Sequence, residues 1–169
     1  MDVVLHPQFE KNHWIYPTYH KRTIDGGGAT TPMRATWNGA ALVDGRDIFE
    51  SGAIDTEASR IAFDHHGMLY MSISAPGSPQ VRRAQDPHDY AGKIVRLRDD
   101  GTIPPENPFV GRAGYKPGIY TMGHRNGHGL AVNPETGEMW ETEQGPRSPT
   151  ARFSEAWRIR LSCGCPRSV

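Results

Sequence analysis

Apolar residues in this chain never run long, and that limits what it can fold into. They come as VVL at 3–5, WIYPTY at 14–19, RIAF at 60–63, MLYMSIS at 68–74, KIVRL at 93–97, GIYTM at 118–122, GLAV at 129–132 and EMWET at 138–142. Each stretch is rich in Ile, Val, Tyr or Trp and is bounded by Gly, Pro, Asn or Asp, the pattern of short strands separated by turns. The pairs Asp44-Gly45, Asp100-Gly101 and Thr136-Gly137 supply residues that tolerate the positive backbone angles of tight turns. No segment before residue 150 holds a 3.6-residue apolar period long enough for a helix. The predicted fold class is therefore all-β. Nineteen Gly and fourteen Pro in 169 residues fit that reading, and the length suits one ordinary domain.

Charge and hydropathy exclude more than they assign. Nineteen basic residues balance nineteen acidic ones, so nothing electrostatic points to nucleic acid or an anionic membrane. Hydrophobic residues make up 36% and mean hydropathy is −0.63, lean for a self-sufficient core. No apolar run approaches the roughly 18 residues that a membrane span requires. Met1 leads straight into DVVLHPQF without a signal-like start, so composition leaves the compartment unread. Cys163 and Cys165 are separated by one residue, too close for ordinary disulfide geometry, and read as incidental thiols.

One pattern recurs. VVLHPQFEKNHWIY from Val3, IAFDHHGMLY from Ile61 and LAVNPETGEMW from Leu130 each give a short apolar strand, then His6, Asp64 or Asn133, then a turn and a second strand carrying an aromatic. Those markers stand 58 and 69 positions apart. Repeated hairpins at that spacing suit propeller blades with long connections, and equally a sandwich; periodicity alone leaves both open.

DVVLHPQF, RIAFDHHGMLYMSIS, AGKIVRLRDDGTIPPENPF at 91–109 and IYTMGHRNGHGLAVNPETGEMWETEQGPR at 119–147 together resemble the glucose/sorbosone dehydrogenase family. The resemblance runs over most of residues 1–147. It implies a partial six-bladed β-propeller of four-stranded antiparallel blades, about half the ring. It also implies an oxidoreductase that oxidises a hydroxyl of an aldose-type sugar with pyrroloquinoline quinone and calcium (Ca2+). Arg125 and Asn126 would bind the quinone: a guanidinium matches a carboxylate with two parallel hydrogen bonds, and an amide offers both donor and acceptor. Gly145 and Pro146 would give main-chain carbonyls to the calcium, with Glu143 and Gln144 flanking it. A periplasmic or secreted location is implied only by the resemblance.

The sequence departs from the family at three places. Thr56 stands where the family has its general-base histidine, and a hydroxyl cannot serve unaided; Asp55 or Glu57 takes that role, or the copy is impaired. No catalytic residue is therefore assigned. Asn126-Gly127-His128 replaces Asn-Pro-Gln, and the lost proline loosens the loop that aims Arg125. Residues 148–169, SPTARFSEAWRIRLSCGCPRSV, read as a basic tail outside the family pattern, disordered or frameshifted. A half ring would leave open sheet edges, with marginal stability or a homodimer as the consequence. His65 and His66 fall at the far strand end, and His124 is expected to make a structural hydrogen bond. His124 and His128 as a zinc pair would need a helix, which Asn126-Gly127 and Gly129 oppose, and the acidic partner is missing. The competing function is a non-catalytic fragment that binds carbohydrate or a protein partner.

Overall fold

A computed structural model describes residues 1–22, 24, 26–52, 56, 59–75, 80–144 and 156–161. Strands β1 (Val3–Leu5), β2 (Trp14–Arg22), β3 (Gly28–Trp37) and β4 (Leu42–Asp47) form a first sheet in chain order. A second follows from β5 (Ile61–Phe63), β6 (Leu69–Ile73), β7 (Lys93–Leu97) and β8 (Ile119–Met122). β9 (Gly127–Val132), β10 (Met139–Gln144) and β11 (Ala156–Leu161) make the third. Every pairing is antiparallel between sequential strands, so each sheet is a meander with the form of a propeller blade. Among the described residues the helical elements are α1 (Phe9–Asn12) and one 3₁₀ segment, Gln80–Gln85.

The three marker residues do one job. Each ends the first strand of its sheet, and its side chain accepts the backbone N–H two residues on: Gln8 to His6 Nδ1 at 3.0 Å, His66 to Asp64 Oδ1 at 2.8 Å, Glu135 to Asn133 Oδ1 at 2.8 Å. Each marker's own N–H crosses the turn to the carbonyl of Trp14, Met68 or Glu138. Three different side chains thus build the same turn, because imidazole, carboxylate and amide all present an acceptor at that reach.

The second sheet carries the core because both of its faces are covered. All five residues of β6 are buried. Successive side chains point to opposite faces. Leu69, Met71 and Ile73 join Tyr16, Ile61, Val95, Leu97 and Ile119 in one cluster, while Tyr70 joins Ile94, Tyr120 and Met139 in another with Leu130 and Val132. The first cluster reaches the first sheet through Tyr16, and the second reaches the third sheet through Met139. Tyr70 and Tyr120 meet edge to face at 5.1 Å.

Three strands, β3, β4 and β11, lie outside the apolar runs of the sequence. β3 is GATTPMRATW, where Gly28 and Pro32 interrupt the pattern and threonines replace large apolar residues. In β4, Asp44-Gly45 is not the turn expected from sequence. Asp44 has φ +53° inside the strand, and the β3–β4 register shifts between Arg34 and Thr36, so the pair forms a bulge. The hairpin turn falls instead at Asn38, whose Oδ1 accepts the N–H groups of Ala40 and Ala41. Gly101 and Gly137 do take the positive angles expected, +89° and +72°. Within the segment read as a tail, Ala156–Leu161 pairs with β10 from Gln144↔Ala156 to Met139↔Leu161.

Candidate functional site at the start of the inner strands

The first strands of the sheets pack side by side, β5 against both β1 and β9. Arg60, just before β5, fastens all three. Its Nε donates to the His128 carbonyl at 2.7 Å and its Nη1 to the Met1 carbonyl at 3.2 Å. Asp2 Oδ2 accepts the Ile61 N–H from the other side at 3.2 Å. In an antiparallel meander the first strand begins where the second ends. The segments preceding β5 and β9 therefore share a face with the ends of β6 and β10. The Ala75 N–H donates to the Arg125 carbonyl at 2.7 Å, which closes that face across the sheets.

Arg125 and Asn126 lie there, between β8 and β9. Arg125 is held at three points: its carbonyl by Ala75, its N–H by Glu143 Oε2 at 3.1 Å, and its guanidinium Nη1 on the Gln144 carbonyl at 3.2 Å. The Asn126 carbonyl accepts the Gln144 N–H at 2.9 Å, while its buried side-chain Oδ1 has no partner among the described residues. An unsatisfied buried acceptor costs free energy unless something completes it. Gly145 and Pro146 lie outside the described residues, directly after Gln144 in the chain.

His124 is buried beneath this loop, as its expected structural role requires. Its Nε2 stands 2.7 Å from Thr121 Oγ1 and its N–H donates to the Gly92 carbonyl at 3.1 Å. Its Nδ1 faces two carboxylates, Glu141 Oε2 at 2.7 Å and Glu143 Oε2 at 3.5 Å. Glu141 is 1% exposed. Burial alone lowers an imidazole pKa, but the two carboxylates outweigh it and raise His124 to about 9. The acidic partner missing near His124 in sequence is supplied by β10. His128 is exposed on β9 and forms no pair with His124. A Cβ at Gly127 would come within 2.3 Å of Glu141 Oε1, so a side chain there would displace that carboxylate.

Lys93, fully buried at the start of β7, supports the loop from below. Its Nζ donates to the carbonyls of Arg83, Ala84 and Ala91 at 2.8–2.9 Å. The Ala84 carbonyl in turn accepts the Gly123 N–H. Burial draws the Lys93 pKa down to about 8, against the pull of Asp89 and Asp86.

Thr56 does not open onto a free surface. It is fully buried, its Oγ1 stands 2.9 Å from Thr30 Oγ1, and its carbonyl contacts the His20 ring and accepts the Thr30 hydroxyl. Asp55 and Glu57 lie outside the described residues. Arg60, His20 and Glu141 were not singled out as site residues by the sequence, and Glu143 only as a flank of the calcium. Of these, only the Glu-Thr-Glu spacing of β10 carried a signal, since alternate residues of a strand share a face.

The sequence pattern described as "Glucose / Sorbosone dehydrogenase" matches residues 1–149. The chain is 34% identical over 153 residues to aldose sugar dehydrogenase YliI of Escherichia coli, covering 87% of this chain and 41% of that protein. It is 43% identical over 83 residues to quinoprotein glucose dehydrogenase B of Acinetobacter calcoaceticus, 47% of this chain and 16% of that one. The crystal structure of the soluble aldose sugar dehydrogenase of E. coli in its apo-form superimposes with a TM-score of 0.87 at 29% identity, over 98% of this chain and 47% of that chain. This chain thus spans about half the length of that structure, and its three sheets are about half of a six-bladed β-propeller. It belongs to the glucose/sorbosone dehydrogenase family.

Proposed function

We propose that the chain carries part of the site of a pyrroloquinoline-quinone-dependent sugar dehydrogenase, with Arg125 and Asn126 holding the quinone and Gly145 and Pro146 giving carbonyl oxygens to a calcium ion. The observation that carries this reading is the pinning of Arg125 against Gln144, the residue before Gly145, beside the buried Oδ1 of Asn126, which has no partner among the described residues. The donor set fits the group: a guanidinium for a carboxylate, and an amide acceptor awaiting a donor. When bound, the quinone would take up the hydride equivalent released as a sugar hydroxyl is oxidised. The chain's own residues orient and shield. Glu143 fixes the Arg125 backbone, and Lys93 braces the loop behind it.

No base for the hydroxyl proton is assigned: a threonine hydroxyl cannot serve unaided, that of Thr56 is engaged with Thr30, and Asp55 and Glu57 lie outside the described residues. That favours a second reading, a module that binds quinone, carbohydrate or a protein partner without turnover. A periplasmic or secreted location belongs to the first reading. Among the described residues no helix is long and apolar enough to cross a membrane.

Titration of the full chain with the quinone and calcium chloride, followed by tryptophan fluorescence, tests the site. Saturable binding that Arg125→Ala weakens about tenfold or more is expected from loss of a charge-assisted pair. Sugar-dependent dye reduction then separates the two readings. Binding without turnover leaves the module, and no binding at all removes both cofactor assignments.

A further inference from the structure

We propose that His124, Glu141 and Glu143 form a binding site for one divalent transition-metal ion of the zinc type, set into the seam between the second and third sheets. One ligand atom from each residue lies within 4.8 Å of the other two. The set combines one imidazole nitrogen with two carboxylate oxygens, from the segment leading into β9 and from alternate positions of β10.

The ring is oriented for the task. Nε2 stands 2.7 Å from Thr121 Oγ1, and Nδ1 faces the carboxylates; an ion would take the place of the Nδ1 proton, with Nε2–H left to Thr121. Metal-binding histidines are held by such a bond on the far nitrogen. Glu141 supplies the independent sign that something is missing. It is 1% exposed, yet among the described residues neither carboxylate oxygen has an aligned hydrogen-bond donor, and His124 Nδ1 has no aligned acceptor. Among the described residues, His124 is the ion-pair partner recorded for both glutamates. A proton on the imidazole leaves one buried and one half-buried carboxylate against one positive charge. A divalent ion on the neutral imidazole balances them, which removes the cost of an uncompensated buried charge.

Geometry and ligand type choose the ion. Tetrahedral zinc ligands at about 2.1 Å from the metal stand roughly 3.4 Å apart. The His124–Glu143 separation of 3.5 Å already matches, while His124 and Glu141, at 2.7 Å, must open by some tenths of an ångström. Calcium demands six to eight oxygens, and this site offers three protein ligands including a nitrogen. The ion would hold Glu143, whose Oε2 accepts the Arg125 N–H, and so stiffen the loop above it.

The test is a cobalt(II) chloride titration of the full chain after chelator stripping, read as visible absorption, with zinc chloride competition giving the affinity. One equivalent should bind. His124→Gln and Glu141→Gln should each weaken binding at least tenfold, with Glu141→Gln as the near-isosteric variant in case the first fails to fold. Zinc should raise the unfolding midpoint of the parent but not of Glu141→Gln. A Cys163→Ser/Cys165→Ser variant should keep the cobalt band. Absence of the band, its loss in the serine variant, or undiminished affinity in Glu141→Gln would each overturn the site.

Discussion

The second sheet and its seam with the third are both dry, but they are dry in different ways. Leu69, Met71 and Ile73 of β6 pack among Tyr16, Ile61, Val95, Leu97 and Ile119, a contact surface of apolar side chains. On the other side Tyr70, Ile94, Tyr120 and Met139 make a smaller apolar cluster, and near it the interior holds Glu141 and His124. Apolar burial adds up with area, about 25 cal/mol per Å², whatever the neighbours' charge. A buried charge cluster stabilises only while its charges balance. The first arrangement supplies stability, and the second places Arg125 at the cost of some of it.

The largest effect should come from unbalancing the seam. In chelator-treated protein, His124→Gln leaves the buried Glu141 and the half-buried Glu143 without the imidazolium between them. It should cost about 3–5 kcal/mol in denaturant unfolding. Glu141→Gln leaves the His124–Glu143 pair intact and should cost less than about 1 kcal/mol. The contrast between seam and core fails if the two substitutions cost the same. Leu69→Ala, deep in the apolar side, should cost about 2–5 kcal/mol with no dependence on chelator or pH.

What the sequence disclosed follows the same division. The strands that open each sheet, β1–β2, β5–β6 and β9–β10, were legible because apolar alternation and a turn-forming His6, Asp64 or Asn133 coincide in a few adjacent residues. β3 and β4 were not, since Thr-rich pairing, an internal Pro32 and the Asp44 bulge carry no apolar period. Arg125 and Asn126 were reached through family resemblance, and the structure adds what pins them. The bonds of Arg60 to Met1 and His128, and of His124 to Glu141, join residues far apart in the chain, where local pattern is silent.

A pH series probes the brace behind the loop. The folded pKa of Lys93, about 8, lies below its ordinary 10.5, so between those values the unfolded chain binds more protons. Stability therefore rises with pH across that window and is lost again as pH falls through about 8. Measured against Lys93→Met, which removes this titration and little else that changes there, the parent should gain about 1–3 kcal/mol from pH 8 to 10.5. The three carbonyl acceptors favour the ammonium and should hold the gain toward the lower figure. A flat difference would mean that Lys93 is solvated, and that the second sheet is wetter near the site than its apolar face.

The smallest effects belong to the turns, and they compare the sheets directly. Asn133 Oδ1 accepts the N–H groups of Glu135 and Thr136 at 2.8 and 3.2 Å, both exposed, so water replaces it readily. Asn133→Ala should cost about 0.5–1 kcal/mol. Asp64 accepts from His66 and Met68, and its second oxygen also takes the Tyr70 hydroxyl at 3.3 Å. Tyr70 is buried, so Asp64→Ala leaves an inward hydroxyl less well satisfied and should cost more, about 1–2 kcal/mol. Asn133→Asp should be close to neutral, because a carboxylate already performs this role in the second sheet. If Asn133→Asp cost as much as Asn133→Ala, acceptor geometry would not be what the three turns have in common. Their likeness would then reflect strand spacing alone.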